Sequence, residues 1–265
     1  MIPVAACDHK EAEQLQDDIY IKGGITLTSN EILSELKALS SEKYKANVVK
    51  LGIPESCSIG VSTADVRKLA KKAGRDNSLA YELWNTGYHE ARLLAVLVMD
   101  KKKLTLQEAE TLMYDVISWD LCDHLCKNLL IKMKGYEELI EKWCDSEATY
   151  TKRAAFTLMA SAAIHEKSLE NHILDHYLAL IRMNSDDERE HVKKSVSWAL
   201  REIGKRDFDY QEKSVLLAYE LLENGNKSQK WIGKDALKEL ENLVKTEGRS
   251  RLISADSQMG KEIKS

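Results

Sequence analysis

The sequence predicts an all-α fold, a HEAT- or armadillo-like solenoid in which pairs of helices stack into an α-α superhelix. Two observations predict it. Helix-start signals occur along the whole chain, while strand-like alternation of apolar and polar residues is nearly absent. Helix-like apolar segments also recur at intervals that suit a two-helix repeat.

Capping motifs mark the expected helix starts. Thr28-x-x-Glu31, Thr105-x-x-Glu108 and Ser185-x-x-Glu188 have the capping-box pattern, in which a hydroxyl and a carboxylate satisfy two free backbone N–H groups. Ser62-x-x-Asp65 is a weaker version of the same pattern. Glycines fall between these segments or at their ends, as expected of helix stops: Gly52, Gly60, Gly74, Gly87, Gly135, Gly204 and Gly225.

The recurring segments begin at intervals of 29, 33, 41 and 37 residues, near Glu90, Trp119, Lys152, Lys193 and Lys230. Each follows another helix-like segment, so each is expected to be the second helix of a pair. In a stacked solenoid the second helices line the concave side. We therefore expect one inner wall, formed by the helices that carry Trp119, Arg153, Trp198 and Lys230.

The expected solenoid is a single domain covering residues 29–248. Residues 1–28 include Asp17, Asp18 and a Lys22-Gly-Gly24 break, and we expect a leader that is partly ordered at best. Residues 249–265 are polar and low in aromatic side chains, so the sequence predicts a disordered tail.

Composition excludes several classes of protein. Hydrophobic residues make up 43% of the chain and charged residues 31%, which is enough apolar material for a core and too much for a disordered chain. No apolar run reaches the roughly 18 residues of a membrane span, and the first residues lack the apolar stretch of a signal peptide. We expect a cytoplasmic monomer that does not bind membranes.

The five cysteines are expected to be free thiols, because their number is odd and their spacing fits no disulfide framework: Cys7, Cys57, Cys122, Cys126 and Cys144. The Cys122-x-x-x-Cys126 pair with His124 between its members raises a metal site as an alternative. Structural zinc usually takes four convergent ligands, and the sequence offers no second pair. We expect no metal and no cofactor.

Charge is unevenly distributed. The net charge is −4, which is not typical of nucleic-acid-binding proteins. Six basic and two acidic residues nevertheless leave a local charge of +4 between Arg189 and Arg206. Within that segment Lys194, Trp198, Arg201 and Lys205 fall on one helical stripe, which suits an anionic polymer such as nucleic acid.

Three stretches carry a resemblance to a known family: Trp119-Asp-Leu-Cys-Asp123, Lys152-Arg153-Ala-Ala-Phe156 and Val192-Lys-Lys-x-Val-x-Trp198-Ala-Leu-Arg201-Glu-x-Gly-Lys205. With Leu51-Gly-Ile53, Gly60-Val-Ser and His89-Glu-Ala-Arg92, in the same order, the chain resembles the AlkD-type DNA alkylation repair proteins from about Asn30 to Leu243. These are HEAT-like solenoids that include DNA glycosylases. The tyrosine that enzymatic relatives carry ahead of Leu-Gly-Ile is replaced here by Lys43, with Tyr44 beside it.

The resemblance implies an active cleft made of Trp119, Asp123, Arg153 and Trp198. Asp123 would stabilise positive charge on the sugar while an N3- or N7-alkylated purine leaves duplex DNA, and Trp119 and Trp198 would contact the sugar and the cationic base. Arg153 would clamp a phosphate. Further phosphate contacts are expected from Lys194, Arg201, Lys205, Lys230 and Lys234.

Each of these residues also has a structural alternative. Asp123 can pair with Lys127 one turn later, Arg153 can pair with Glu147 or Asp145, and a tryptophan on a solenoid helix is commonly part of the core. Two other functions remain open for the whole chain. It can be a non-catalytic reader of damaged or branched DNA, or a protein-interaction scaffold whose basic stripe meets an acidic partner.

Overall fold

The computed structural model describes residues 27–264, whose backbone forms fourteen α-helices, three single-turn 3-10 helices and two short strands. The helices are α1 (Ser29–Ala38), α2 (Glu42–Lys50), α3 (Thr63–Ala73), α4 (Asn77–Asn85), α5 (His89–Val98), α6 (Leu106–Tyr114), α7 (Trp119–Asn128), α8 (Tyr136–Cys144), α9 (Thr149–His165), α10 (Asn171–Asn184), α11 (Glu190–Gly204), α12 (Phe208–Asn224), α13 (Lys227–Leu240) and α14 (Gln258–Lys264). The 3-10 helices are Glu55–Cys57, Lys101–Lys103 and Leu130–Lys132, and the strands are β1 (Leu243–Val244) and β2 (Ile253–Ser254).

The capping motifs locate most of the predicted helix starts. Thr28 and Thr105 form complete capping boxes, and the Ser62 hydroxyl accepts the Asp65 N–H at the start of α3. The prediction at Ser185 is wrong. Ser185 closes α10, where its hydroxyl donates to the Arg182 carbonyl, and α11 begins only at Glu190.

The helices form two rows, which confirms the solenoid prediction. Helices α3, α5, α7, α9, α11 and α13 pack on one another in that order and are called the central row below. In the other row α4, α8, α10 and α12 each pack on the helix that follows, while α6 contacts α8 and α9. Every second helix therefore lies in the same row, as the sequence interval predicted.

The core runs along the central row. Leu94, Leu125, Leu158, Leu200 and Ile232 come from five successive helices of this row and are all inaccessible to solvent. In α9 every residue from Arg153 to Ala163 is buried, so this alanine-rich helix has no solvent face over three turns. Its small side chains allow the neighbouring helices to approach closely. Its buried polar side chains, such as Arg153 and Thr157, are therefore fixed in position by the surrounding helices.

The C-terminal segment differs from the prediction of a disordered tail. β1 and β2 pair antiparallel, α14 follows, and Leu252 and Ala255 are buried against the preceding helices. The Arg251 guanidinium donates to the Glu202 carboxylate at 2.8 Å. Strands of two residues and one buried leucine are too short to give a periodic hydrophobic pattern in the sequence. The segment is ordered by its contacts with α11, which the local sequence does not reveal.

Three expectations from the sequence meet the structure only in part. The leader expected at residues 1–28 lies outside the described residues up to position 26. Among residues 27–264, Cys57, Cys122, Cys126 and Cys144 are free, and no three His, Cys, Asp or Glu side chains are placed to hold a metal ion. No helix in this part of the chain has the length and apolarity needed to cross a membrane.

Candidate active site

Helix α7 presents Trp119 and Asp123 on one stripe. The helix begins at Trp119, where the Ser118 hydroxyl accepts the Leu121 N–H at 3.3 Å, so Trp119 is held at the first helical position. Asp123 follows one turn later, and its side chain is 13% exposed. The carboxylate is therefore nearly buried but still reachable from solvent.

Helix α9 fixes the Asp123 carboxylate. Arg153 Nε donates to Asp123 Oδ1 at 2.9 Å and Arg153 Nη2 donates to Oδ2 at 3.0 Å, a two-point contact that sets the plane of the carboxylate. The Thr157 hydroxyl, one turn along α9, donates to Oδ1 at 3.2 Å. Arg153 Nη1 donates to the His191 carbonyl at 2.8 Å, which ties the pair to α11.

This geometry differs from both sequence interpretations of Arg153. The Arg153 side chain is 8% exposed and all three of its nitrogens donate to protein acceptors, so it is not a free phosphate clamp. Its carboxylate partner is Asp123 and neither Glu147 nor Asp145. The Lys127 ammonium also lies near Asp123, but at 3.9 Å from Oδ2 it is the weaker partner.

Helix α11 contributes Trp198, which is half-buried. The Lys127 ammonium of α7 lies over the Trp198 ring, 4.4 Å from its centroid, and the indole N–H donates to Glu202 Oε1 at 3.3 Å. The Arg153 guanidinium lies 5.8 Å from the centroid of the Trp119 ring. The structure thus brings Trp119, Asp123 and Trp198 together around Arg153 and Lys127.

Charge and burial perturb the ionisation of two of these groups. Burial disfavours the Arg153 charge, but the hydrogen bonds and the negative charge of Asp123 outweigh it and raise the Arg153 pKa. Burial lowers the His191 pKa, and the nearby charges of Arg153 and Lys194 lower it further. Arg153 is therefore positively charged in the candidate site, and protonation of His191 beside it is disfavoured.

A second acid lies beside the site. Asp120 accepts a hydrogen bond from His89 Nε2 at 3.1 Å, and this bond lowers the Asp120 pKa against the opposing effect of burial. Asp120 is therefore paired with His89 at the start of α5. His124, which follows Asp123, is buried, and burial together with the Arg67 charge lowers its pKa to about 4.

The predicted phosphate contacts Arg201 and Lys205 are paired with carboxylates within the protein. Arg201 contacts Asp235, and its Nε lies 3.1 Å from Glu239. Lys205 pairs with Glu239 at 2.6 Å and with Glu202 at 3.0 Å. The acids come from α13 and from α11 itself, so the predicted basic stripe is largely neutralised at this end.

The other predicted phosphate contacts are exposed. The Lys194 ammonium pairs with Glu190 at 3.0 Å, and both side chains are 53% exposed. Lys230 and Lys234 lie on α13, both are exposed, and neither has an ion pair within residues 27–264. Phosphate contact stays a prediction for all five residues, of which these three lysines are the exposed ones.

Sequence reasoning missed two groups of the site. Thr157 stands one helical turn after Arg153, and Lys127, considered only as an alternative partner of Asp123, also covers Trp198. The spacing of four residues was the available signal for both. Trp84 and Trp143 are core residues, and Trp231 is half-buried, packs against the core and lies under the Lys193 ammonium, 5.1 Å from its ring centroid.

With the site described, comparison with known proteins identifies the family. The model of the family described as "DNA alkylation repair enzyme" matches residues 32–240 of the chain. The chain belongs to the DNA alkylation repair enzyme family. The match spans the row of helices that carries Trp119, Asp123, Arg153 and Trp198. No curated protein matches the chain in sequence.

A solved structure supports the fold of this DNA alkylation repair family member. It superposes with a TM-score of 0.68 over 90% of this chain and 94% of its own chain, at 19% sequence identity. It is described as belonging to "a new family of proteins related to the HEAT-like repeat DNA glycosylases with affinity for branched DNA structures". At that identity the likeness shows the HEAT-like fold.

Proposed function

We propose that this protein is a DNA glycosylase that hydrolyses the N-glycosidic bond of cationic N3- or N7-alkylated purines in duplex DNA. One observation carries the proposal: Arg153 holds the Asp123 carboxylate by a two-point contact, the carboxylate is reachable from solvent, and the two cations beside it, Arg153 and Lys127, lie over the rings of Trp119 and Trp198. Membership of the DNA alkylation repair family supplies the class of substrate.

The proposed chemistry assigns Asp123 to the developing charge on the sugar. As the bond between the purine and C1′ breaks, its electron pair moves to the base, which loses its positive charge, and positive charge grows on the deoxyribose. Water attacks C1′ to form the new C–O bond, and its proton passes to the solvent. Both oxygens of Asp123 accept hydrogen bonds from Arg153, so the carboxylate is oriented before the substrate binds and needs little reorganisation.

The two tryptophans are assigned to the sugar and the base. Trp119 and Trp198 are only half-buried, so their faces form an open surface and not a closed base pocket. Each ring already contacts a cation: Arg153 lies near Trp119 and Lys127 lies over Trp198. A positively charged alkylated purine would be attracted to the same electron-rich ring faces. We infer that selection depends on the charge and lability of the lesion itself.

A non-catalytic reader of branched DNA is the second candidate function. Lys127 lies over the Trp198 ring, where a cationic base would otherwise stack, and has to move for the first function. The solved relative is described as having affinity for branched DNA structures. If the protein only binds DNA, the Asp123–Arg153 pair has a structural role, in which it joins α7 to α9, and no role in catalysis.

Release of free base separates the two candidates. Duplex DNA carrying N7-methylguanine or N3-methyladenine is incubated with the protein, and released base is measured by chromatography. The first function predicts time-dependent release under single-turnover conditions. Absence of release, with tighter binding to a four-way junction than to a duplex of equal length, favours the second.

A further inference from the structure

A concentration of basic side chains lies away from the candidate site, where α3, α5 and α7 end. Arg67, Lys71 and Arg75 line a depression of about 270 Å³ beside Leu97 of α5. Lys101 and Lys102 follow α5 and, with Lys132 and Lys134 after α7, line a second depression of about 340 Å³. No acidic residue lines either depression.

These seven cations differ from the other basic residues nearby. Lys68 and Lys72 belong to the same helix as Arg67, and they pair with Asp65 and Glu35 at 2.9 and 2.6 Å. Within residues 27–264 none of the seven has an ion pair, although Arg75 donates to the Met99 carbonyl. Two further acids nearby cap helices, since Asp76 accepts the Leu79 N–H and Asp100 accepts the Lys102 N–H.

The cations repel one another. Burial lowers the Lys132 pKa, and the charges of Arg75, Lys101 and Arg67 lower it further. Favourable interaction with a helix C-terminus accounts for Lys71, which lies in the last turn of α3. It accounts less well for Lys134, which lies in the turn beyond α7 and the 3-10 helix Leu130–Lys132. An uncompensated cluster in a chain of net charge −4 therefore points to an anionic ligand.

We propose that this surface, called the cationic rim and defined by the residues lining the two depressions, binds the phosphate backbone of duplex DNA. The inference rests on the proposed function in that the ligand is DNA. Three adjacent helices at 8–10 Å spacing span about 20 Å, the length of roughly six phosphates of one strand at 3.4 Å each.

The cationic rim adjoins the candidate active site through α7. His124, next to Asp123 in the chain, lies within the electrostatic reach of Arg67, whose charge contributes to its low pKa. Lys132 and Lys134 follow the C-terminal end of the same helix. A DNA backbone bound at the cationic rim would run past α7, the helix that presents Trp119 and Asp123. The cationic rim and the candidate active site would then contact the same duplex.

Salt-dependent binding of unmodified duplex DNA tests the proposal. In the full chain, R67Q/K101Q/K132Q removes three rim cations, and K68Q/K72Q/K213Q removes three paired exposed lysines with the same change in net charge. Each lost phosphate contact reduces the slope of log K against log salt by about 0.9. We expect the rim variant to lose about 2–3 from that slope and to bind at least about tenfold more weakly at 50 mM salt.

The control variant and thermal melting complete the test. We expect the control to retain the wild-type slope, and both variants to melt within a few degrees of the wild type. An unchanged slope in the rim variant overturns the proposal. So does a rim variant that binds poly-glutamate more weakly while its duplex affinity is unchanged, because the ligand would then be an acidic polypeptide.

Failure of the rim can be distinguished from failure of the glycosylase. A binding surface affects the DNA concentration for half-maximal base release and leaves the rate at saturating DNA unchanged. A wild-type protein that binds duplex with the rim-dependent slope but releases no base supports the rim and contradicts the glycosylase. A rim variant that binds duplex DNA with normal affinity but releases base more slowly at saturating DNA contradicts the proposed role of the cationic rim in binding.

Discussion

At the scale of single residues, the site depends on the pairing of Asp123 with Arg153. A lone carboxylate on a helix face has several rotamers, whereas the two Arg153 contacts at 2.9 and 3.0 Å select one. Arg153 is itself fixed by the His191 carbonyl at 2.8 Å. Three helices of the central row thus determine where one carboxylate lies, and we interpret Arg153 as a positioning residue.

Replacing Arg153 with lysine tests that interpretation. R153K keeps the positive charge but cannot make the two-point contact. We expect the single-turnover rate of base release to fall about tenfold, while duplex affinity changes by less than about threefold, since the side chain is not a phosphate contact. A large loss of duplex affinity, with an unchanged rate of base release at saturating DNA, would contradict the positioning role and indicate that Arg153 contacts a DNA phosphate.

Asp187 gives the stability a defined dependence on pH. Burial opposes its charge, but hydrogen bonds from Arg189 and Lys152 lower the Asp187 pKa to about 2 from an ordinary value of 3.8. The folded state therefore gains stability from this group above about pH 4, and the gain disappears as the pH falls through about 2. We expect D187N to lose about 2 kcal/mol of unfolding free energy at pH 7.

Urea denaturation between pH 7 and pH 2 measures this effect. The difference between wild type and D187N should shrink as the pH falls below about 4. D175N is the matched control, because Asp175 pairs with Lys213 on the surface with half of its side chain exposed, and we expect a loss below about 1 kcal/mol. A D187N difference that is constant over this pH range would contradict the assignment.

At the scale of elements, Glu90 links the start of α5 to the segment before α3. Its carboxylate is 1% exposed and accepts the N–H groups of Ile59, Gly60 and Val61, at 2.9, 2.7 and 3.3 Å. Gly60 has φ +91°, and a Cβ there would lie 2.8 Å from the Ser41 carbonyl oxygen. The segment is thus held by a carboxylate and by a glycine that no other residue replaces without strain.

Glu90→Gln is expected to destabilise the fold. The amide NH₂ would face a backbone N–H group in place of an acceptor, so at least one buried donor is left unpaired. We expect a loss of about 2–3 kcal/mol of unfolding free energy, measured by urea denaturation. Glu82→Gln in the preceding helix serves as the control because Glu82 is exposed and has no such contact. Equal losses in the two variants would contradict the capping role.

The elements could be predicted where their signals are local. The sequence predicted second helices near Glu90, Trp119 and Lys152, and the structure has helices beginning at His89, Trp119 and Thr149. The convergence of Asp123 and Trp198 followed from the family resemblance. The pairing of Arg201 with Glu239 could not be predicted, because it joins residues 38 positions apart on different helices and depends on their packing.

At the scale of the whole molecule, the C-terminal segment packs against the ends of α11 and α13. Leu252 is 2% exposed, and Arg251 pairs with Glu202, the residue that also accepts the indole N–H of Trp198. The opposing effects of burial and of the Lys205 and Arg251 charges leave a lowered pKa at Glu202. The segment predicted as a disordered tail therefore supports one wall of the candidate site.

A chain ending at Gly248 is expected to lose stability. It exposes the surface buried by Leu252, worth about 1.5–3 kcal/mol, and leaves the Glu202 carboxylate without Arg251. A chain ending at Ser257 keeps β2, Leu252 and Ala255 and is the control. In urea denaturation we expect the shorter chain to lose about 3 kcal/mol and the longer one less than half of that. Equal stability of the shorter chain and the wild type would show that the segment does not support the fold.

The central claim, that Asp123 acts at the reacting sugar, is tested most directly by single-turnover release of N7-methylguanine from duplex DNA. D123N is compared with the wild type and with D120N, which removes another carboxylate of α7, one that pairs with His89 of α5. We predict a fall of at least about tenfold for D123N, equal to about 1.4 kcal/mol of barrier, and less than about threefold for D120N. Wild-type release by D123N, or no release by the wild type, would contradict the claim.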